Sequence, residues 1–491
     1  LDRLISSVTS AGTTRYDSSA TGKLLCQTNP DGTTESYTYD DADRNTSVKD
    51  PADNHVGMTY DDMGRIISLR NADGSVVSYD YDANGNLVKE TDENQKVTVF
   101  TYDSNDEVTK EAVDKKASIE YERDAKGRVT KETDESGATV TYKYNDLDLV
   151  TEMKDKLNRV VKYEYDSTGN LTKETRFDGK ELIYTYDSMN RMTSKVDEKG
   201  IKTEYTYDSE GRSAAQKESR GTSERTLSFT YDNNGNKLSE TDYEGNKTCF
   251  SYDGANRLVK VTDALGNSTT YSYTTLGQVA TETDRTGAVK TYTYDGAGNM
   301  LSLTDANGNA FNYTYDSCGR VTKETKPGGI IQGAVYDAAG HLTEQIDCFG
   351  NSVKYVYDQD GNITETTDKL GNVTSYTYDL YKNKTSETDA EGRTKKYSYN
   401  KLGWLTKETD AVGKETIYSY DISGNIISKE YFDGTKNVIE YDSFGNIIKE
   451  TTREGVVTSY AYDEFSNVLE FTTSLGEHVK YTYNKNGKVL T

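Results

Sequence analysis

One unit recurs along this chain every 21 residues, and that repeat limits the possible folds more than any single residue does. Its reference point is the second tyrosine of a Tyr-x-Tyr-Asp run. The first series holds Tyr39, Tyr60, Tyr81, Tyr102, Tyr144, Tyr165, Tyr186 and Tyr207. The second holds Tyr252, Tyr273, Tyr294, Tyr315, Tyr336, Tyr357, Tyr378, Tyr399, Tyr420, Tyr441, Tyr462 and Tyr483. Tyr39 to Tyr207 is eight periods of 21, and Tyr252 to Tyr483 is eleven. Between the series, Tyr207 to Tyr231 is 24, so three residues are added within GTSERTLSFTYD. In YERDAKGRV, Arg123 holds the tyrosine's place, 21 from both Tyr102 and Tyr144. About 23 copies fill the chain, so residues 1–491 read as a single array, irregular at 1–38 and 208–231. Self-similarity at a fixed short period marks a repeat architecture. A catalytic centre occurs once or twice in a protein, whereas a unit copied this often is the fold itself.

The unit YEYDSTGNLTKETRFDGKELIYTYD, residues 163–187, holds two runs of alternating character. One ends in Tyr-x-Tyr and the other reads Leu-Thr-Lys-Glu-Thr. Tyr, Thr and Val suit a pleated, half-buried strand, and period two places every other side chain on one face. Asp-x-x-Gly separates the runs. Asp166 to Gly169 fits a type I turn, with Asp capping the first position and Gly taking the left-handed backbone. Asp187, Asp295 with Gly298, and Asp316 with Gly319 hold the same places, and DALG at 263–266 repeats the spacing at the second turn. No stretch sustains helical apolar spacing. The expected fold is all-β: a continuous antiparallel meander of two-stranded repeats.

The period is odd, and this constrains the turns. Slipping a strand by one residue exchanges its faces. Two turns of one register would therefore alternate the tyrosines between faces from copy to copy. One element per repeat must change parity. We expect a type I turn with a glycine bulge at the first turn and a different loop length at the second. The second tyrosine then lies opposite the residue six positions later: Leu87, Val129, Leu171, Met192, Leu258, Met300, Val321, Leu342, Ile363, Ile426 or Ile447. Such aromatic–aliphatic pairs contribute roughly 0.2–1 kcal/mol each. The first tyrosine is replaced by Phe100, Phe229, Phe250, Met58 or Ile439, so packing rather than its hydroxyl is what that position needs. The second is kept more strictly, which suits a hydroxyl that also hydrogen-bonds. The acids of KETD at 89–92, 131–134 and 407–410 are expected on the opposite, wet face.

Composition narrows the function classes. Hydrophobic residues make up 33% of the chain, and 41 of them are tyrosines against one tryptophan, Trp404, so a thick aliphatic core is not expected. A net charge of −24 argues against binding nucleic acid or anionic membranes. DANGN (82–86) and DQDGN (358–362) resemble acidic calcium loops, but they lack the length and closing glutamate of a strong site and fit turns better. Cys26, Cys249, Cys318 and Cys348 sit at different phases of the repeat, without the spacing of a metal site, and are expected to be free thiols. His55, His341 and His478 stand singly. No Gly-x-Ser-x-Gly, phosphate loop, leader peptide or membrane-spanning run is visible. We expect no enzyme activity, metal, cofactor or membrane insertion from this stretch.

The pattern Y-x-Y-D-x-x-G-N/R-L at a 21-residue period resembles the YD repeat of the Rhs family. Its relatives include Rhs toxins, the C components of Tc toxins, wall-associated YD proteins and teneurins. The resemblance covers essentially the whole chain. It implies a β-strip that spirals into a hollow shell, or an open curved strip, and a shell that commonly encloses a C-terminal toxin. About 45 strands at roughly 4.8 Å would make a strip on the order of 220 Å long. One ring of it would leave a lumen near ~50 Å, room for a compact domain of about 130 residues. The cleavage motif that closes bacterial shells is not matched: the only Asp-Pro is Asp50-Pro51, in KDPADNH. The chain starts and stops within a unit and reads as part of a longer protein. Two functions fit. One is a non-enzymatic shell segment of an extracellular or cell-surface protein, with an enclosed toxin domain as partner. The other is a surface adhesion or scaffold array that binds glycans or proteins.

Overall fold

The computed structural model describes residues 4–9, 12–114 and 117–491. Residues 1–3, 10 and 11, within the irregular opening stretch, lie outside them. Among the described residues there is no helix, and 46 strands belong to one open antiparallel sheet. Each described register joins a strand to its successor in sequence, as in Val160–Tyr165 with Leu171–Thr175 and Leu171–Thr175 with Glu181–Tyr186. Strands ending in tyrosine mostly run six residues and the return strands five. The three added residues lengthen two strands, Ser213–Arg220 and Ser223–Tyr231, around a two-residue loop.

Both turns of the unit have the same geometry, which corrects the expectation of a different second loop. In the first, Gly169 N–H donates to the Asp166 carbonyl at 3.1 Å and Asp166 N–H to the Asn170 carbonyl at 2.9 Å. In the second, Gly179 and Arg176 repeat both bonds with Arg176 and Lys180, at 2.9 Å each. Gly169 and Gly179 take φ of 90° and 82°, the left-handed region in which a Cβ is strained. Where glycine is absent, Asp148 or Asn190 takes that conformation, since their short polar side chains tolerate it.

Two identical turns leave the odd residue to be absorbed elsewhere, and a bulge inside the return strand absorbs it. Tyr165 pairs with Leu171 but Glu164 pairs with Lys173, so Thr172 is extra. Its hydroxyl donates back to the Glu164 carbonyl at 3.1 Å. The same shift recurs at Tyr81, Tyr186, Tyr294 and Tyr420. From Tyr165 the face runs through Leu171, Glu174 and Leu182 to Tyr184 and Tyr186, so successive tyrosines share it.

The bulge also corrects the expected position of the KETD acids. The extra residue exchanges the two faces beyond it, so Glu90, Glu132, Glu174 and Glu408 lie opposite Tyr79, Tyr121, Tyr163 and Tyr397. They are on the tyrosine face. Lysines occupy the other face, where Lys131 and Lys89 reach Glu122 and Asp80 at 2.7 and 3.3 Å.

The paired column Glu164–Lys173–Ile183 advances 19 residues while the repeat advances 21. Each repeat therefore slides two residues along the strands. Two residues are about 6.8 Å and two strand spacings about 9.6 Å, a stagger of roughly 35°.

The chain packs as two compact units: residues 1–117 with 249–376, and residues 118–248 with 377–491. In each, second turns of the earlier segment meet first turns of the later one. In the first unit, Arg320 approaches Asp73 at 3.4 Å and Lys96 approaches Asp360 at 2.8 Å. In the second, Ser423 donates to Asp178 at 3.1 Å and Asn486 to Asp242 at 2.8 Å. Arg220 donates to the Glu464 carbonyl at 2.6 Å. Few side chains are deeply buried; Val77, Ala138 and Val161 are the buried hydrophobic residues among those described.

Candidate functional site

The most organised chemistry in the molecule is repeated along the tyrosine face. Most second tyrosines close a strand, lie opposite an aliphatic residue, and donate the hydroxyl to a backbone carbonyl fifteen residues earlier; Tyr39, Tyr207 and Tyr231 instead face Asn45, Ser213 and Lys237. That carbonyl belongs to the residue facing the equivalent position of the previous repeat, a tyrosine in most copies and Ser18 or Arg123 before Tyr39 and Tyr144. Tyr165 donates to Val150 at 2.8 Å, Tyr186 to Leu171 at 2.9 Å and Tyr207 to Met192 at 2.6 Å. Tyr39, Tyr60, Tyr81, Tyr102 and Tyr144 make the same bond to Leu24, Asn45, Ile66, Leu87 and Val129. So do Tyr273, Tyr294, Tyr315, Tyr336 and Tyr357. Tyr399, Tyr420, Tyr441, Tyr462 and Tyr483 continue it. Tyr252 pairs with Leu258, and Tyr378 ends the strand Val373–Tyr378. At the insertion the span lengthens to eighteen, from Tyr231 to Ser213 at 3.0 Å, so the added residues leave the bond intact.

The turn aspartate organises its own loop. Asp166 Oδ1 accepts the N–H groups of Thr168 and Asn170, both at 2.9 Å, and Oδ2 accepts Asn170 Nδ2 at 2.9 Å. The side-chain bonds from Asn170 and Thr168 hold this carboxyl down at about 2. Asp187, Asp295 and Asp316 accept the same two backbone N–H groups. Gly298 and Gly319 take φ of 92° and 76°. In the loops that resemble calcium sites, Asp82 Oδ1 accepts three backbone N–H groups and Asp358 Oδ1 two. Among the described residues, no group of three or more His, Cys, Asp or Glu is placed to hold a metal ion.

The residue after the turn glycine links one repeat to the next, a role that sequence reading missed. Arg65 bonds Asp61 through Nε at 2.7 Å, donates to the Asp82 carbonyl at 3.3 Å, and lies 4.6 Å over the Tyr81 ring. Arg44, Arg128, Arg191, Arg257 and Arg320 cover Tyr60, Tyr144, Tyr207, Tyr273 and Tyr336 in the same way. A guanidinium over an aromatic face is attracted by the ring quadrupole. His341 takes this position and stacks on Tyr357 at 4.7 Å, and Trp404 takes it against Tyr420 at 5.2 Å. The available signal was the recurrence of Asn or Arg after the turn glycine, which composition alone does not connect to a ring 16 residues on.

First tyrosines add a second line of contacts. Tyr142, Tyr292, Tyr418 and Tyr460 meet Glu132, Glu282, Glu408 and Glu450 at 3.2, 3.2, 3.1 and 2.8 Å. Burial, then the neighbouring glutamate, pushes Tyr142 and Tyr460 up to about 12. At Asp134 burial works against the charge. The Lys156 ammonium and the Ser136 and Tyr381 hydroxyls overcome it and hold the carboxyl well below its usual range. The four cysteines are free thiols, Cys26 half-buried and Cys249, Cys318 and Cys348 exposed. The arrangement is suited to holding strands together.

The teneurin YD-shell profile matches residues 3–154, 72–209 and 201–332. The RHS repeat profile matches residues 336–372, 357–394, 399–436 and 441–478. No curated protein sequence matches the chain. Among solved structures, the TcdB2–TccC3–Cdc42 crystal structure is similar at 14% identity and a TM-score of 0.62, covering 97% of this chain and 35% of that one. TcdB2–TccC3 is similar at 14% and 0.54, covering 97% and 33%. A Photorhabdus luminescens Tc holotoxin pore is similar at 13% and 0.52, covering 97% and 34%. The chain thus spans about a third of the length of these structures' chains. Identity this low carries the fold alone. The matched profile extends continuously over residues 3–332, more than half of the chain, and the repeat geometry agrees with it: the chain belongs to the teneurin YD-shell family.

Proposed function

We propose that this chain is a non-enzymatic wall segment of a YD-repeat shell that encloses a polypeptide cargo, in an extracellular or cell-surface protein. The observation that carries this reading is the unbroken antiparallel sheet, its tyrosine face tied repeat to repeat by hydroxyl-to-carbonyl bonds. Such a face spends its specific chemistry on cohesion along the strip. The likeness to TccC3-containing toxin structures supports a toxin domain as the cargo. In this reading the second tyrosines hold the wall, and the turn aspartates and glycines shape its rims.

Electron microscopy of the native protein tests the proposal. A closed hollow particle with density inside it is the expected result. An open ribbon or filament with nothing enclosed would overturn encapsulation and favour a surface array that binds glycans or proteins.

A further inference from the structure

A seam between two repetitive edges has a register problem. In the unit of residues 118–248 and 377–491, first turns of the later segment enter beside second turns of the earlier one. The regular turns on both sides share one backbone geometry. Displacing the seam by one repeat would give each turn the same kind of neighbour, and a uniform pattern specifies its register weakly. Twist summed over many strands brings the edges together, and a small error per repeat would move them by one. A feature that occurs once removes that ambiguity.

The three-residue insertion is such a feature. A regular return strand ends ten residues after its tyrosine, as at Thr175 after Tyr165, whereas the strand after Tyr207 runs three residues further, to Arg220. The extended tip engages three successive first turns of the later segment. Arg220 lies 4.0 Å from the Phe444 ring and donates to the Glu464 carbonyl at 2.6 Å. The Glu464 carboxylate accepts the Ser223 N–H at 2.9 Å and the Thr222 N–H at 3.4 Å. Arg225 is held across the hairpin by Glu218 at 2.7 Å, lies 4.1 Å from the Phe465 ring, and donates to the Lys485 carbonyl at 3.2 Å. Gly221, with φ of 57°, brings the loop so close to Glu464 that a Cβ there would overlap the carboxylate.

The tip also fits one first turn better than its neighbours. Glu464 stands at the second position of its turn. Along residues 377–491 that position holds Leu380, Lys401, Ile422, Ser443, Glu464 and Lys485, and no other first turn of the chain places a glutamate there. Displacement by one repeat would bring Ser443 or Lys485 to the tip. Serine is too short to reach both N–H donors. Lysine would set a cation against donors flanked by Arg220 and Arg225. Specificity is the difference between the right partner and these alternatives. We infer that the inserted hairpin and Glu464 form a register key, which fixes which first turns meet which second turns along the seam of this unit.

Pulsed electron spin resonance between labels at Lys247→Cys and Lys401→Cys, with the native cysteines replaced by serine, reads the register. Both sites are exposed and lie outside the hairpin, one on each side of the seam. The otherwise native chain is expected to give one distance. Displacement by one repeat moves the edges by two strand spacings, roughly 10 Å. Replacing Glu218–Arg225 with Asp-Ala-Leu-Gly-Asn, the turn of residues 263–267, restores the 21-residue spacing and should add a displaced population. Exchanging the key, Glu464→Lys with Lys485→Glu, keeps the composition and leaves both turns closed by Asp463 and Asn484. It should also populate the displaced distance, and Trp404 emission should shift with it, because Arg159 faces that ring in the native register. Unchanged far-UV circular dichroism checks the strands. One native distance and native Trp404 emission in both variants would overturn the proposal. So would a native distance accompanied by faster exchange of the Thr222 and Ser223 amides, since the contact would then be lost without any effect on register.

Discussion

Replacing Tyr165 with phenylalanine isolates the bond that ties one repeat to the previous one. The ring stays opposite Leu171, while the 2.8 Å hydrogen bond to the Val150 carbonyl is lost. A neutral hydrogen bond of this kind contributes about 1 kcal/mol net, within roughly 0.5–1.5. Each 1.4 kcal/mol is about tenfold in an equilibrium, so about 1 kcal/mol corresponds to roughly fivefold. In a repeat array stability is close to a sum of nearest-neighbour terms, so the effect should be local. Native-state hydrogen exchange is therefore a better assay than a global melting curve. Amides in Val150–Lys154, Val160–Tyr165 and Leu171–Thr175 should exchange about fivefold faster, and strands several repeats away should not change. Tyr165→Ala also removes a half-buried ring. Its cost should exceed that of Tyr165→Phe and stay below the ~3–5 kcal/mol of a fully buried aromatic. Unchanged protection in Tyr165→Phe, or a loss spread evenly over the array, would refute the ladder as the source of cohesion.

Trp404, the one tryptophan, reports on the seam of its unit, because the Arg159 guanidinium lies 5.1 Å from its ring. Arg159→Ala should red-shift its emission without changing far-UV circular dichroism. Gly424 has φ of 92°, and a Cβ there would stand 2.7 Å from Trp404 Cζ2. Gly424→Ala should therefore destabilise its repeat by more than ~1 kcal/mol and move the same emission band. Asp166 is held at about 2 against an ordinary 3.8, so its contribution is complete above pH 3.8 and lost as pH falls toward 2. Other turn aspartates are lowered too, among them Asp187 and Asp263, so acid titration followed by circular dichroism should show a cooperative loss in that window. Tyr142 and Tyr460 are raised from 10.0 to about 12, which reverses the direction: stability is complete below pH 10 and lost as pH rises toward 12. Tyrosinate absorbance should therefore develop late and together with unfolding.

Much of this structure was legible because it is local and repeated. Tyr-x-Tyr marks strand ends, Asp-x-x-Gly marks turns, and the pairing of Tyr165 with Leu171 follows from the spacing between them. The odd period showed that one element per repeat must change parity. It did not locate that element, because a turn of different length and a bulge at Thr172 satisfy the count equally. Only the backbone bonding distinguishes them, and with it the face on which Glu174 lies. The arginines over the tyrosines escaped notice for a related reason. Arg65 and Tyr81 are neighbours only once the stagger of the strands is known.

The sequence by itself determined the strand, the turn and the pairing between adjacent strands, because each rests on contacts within about one repeat. Which turn meets which across the seam was decided by tertiary structure alone. Asp178 and Ser423, or Asp73 and Arg320, are some 245 residues apart. Their meeting depends on twist and stagger accumulated over many strands. No single unit encodes that sum, and a small change per repeat would bring different turns together.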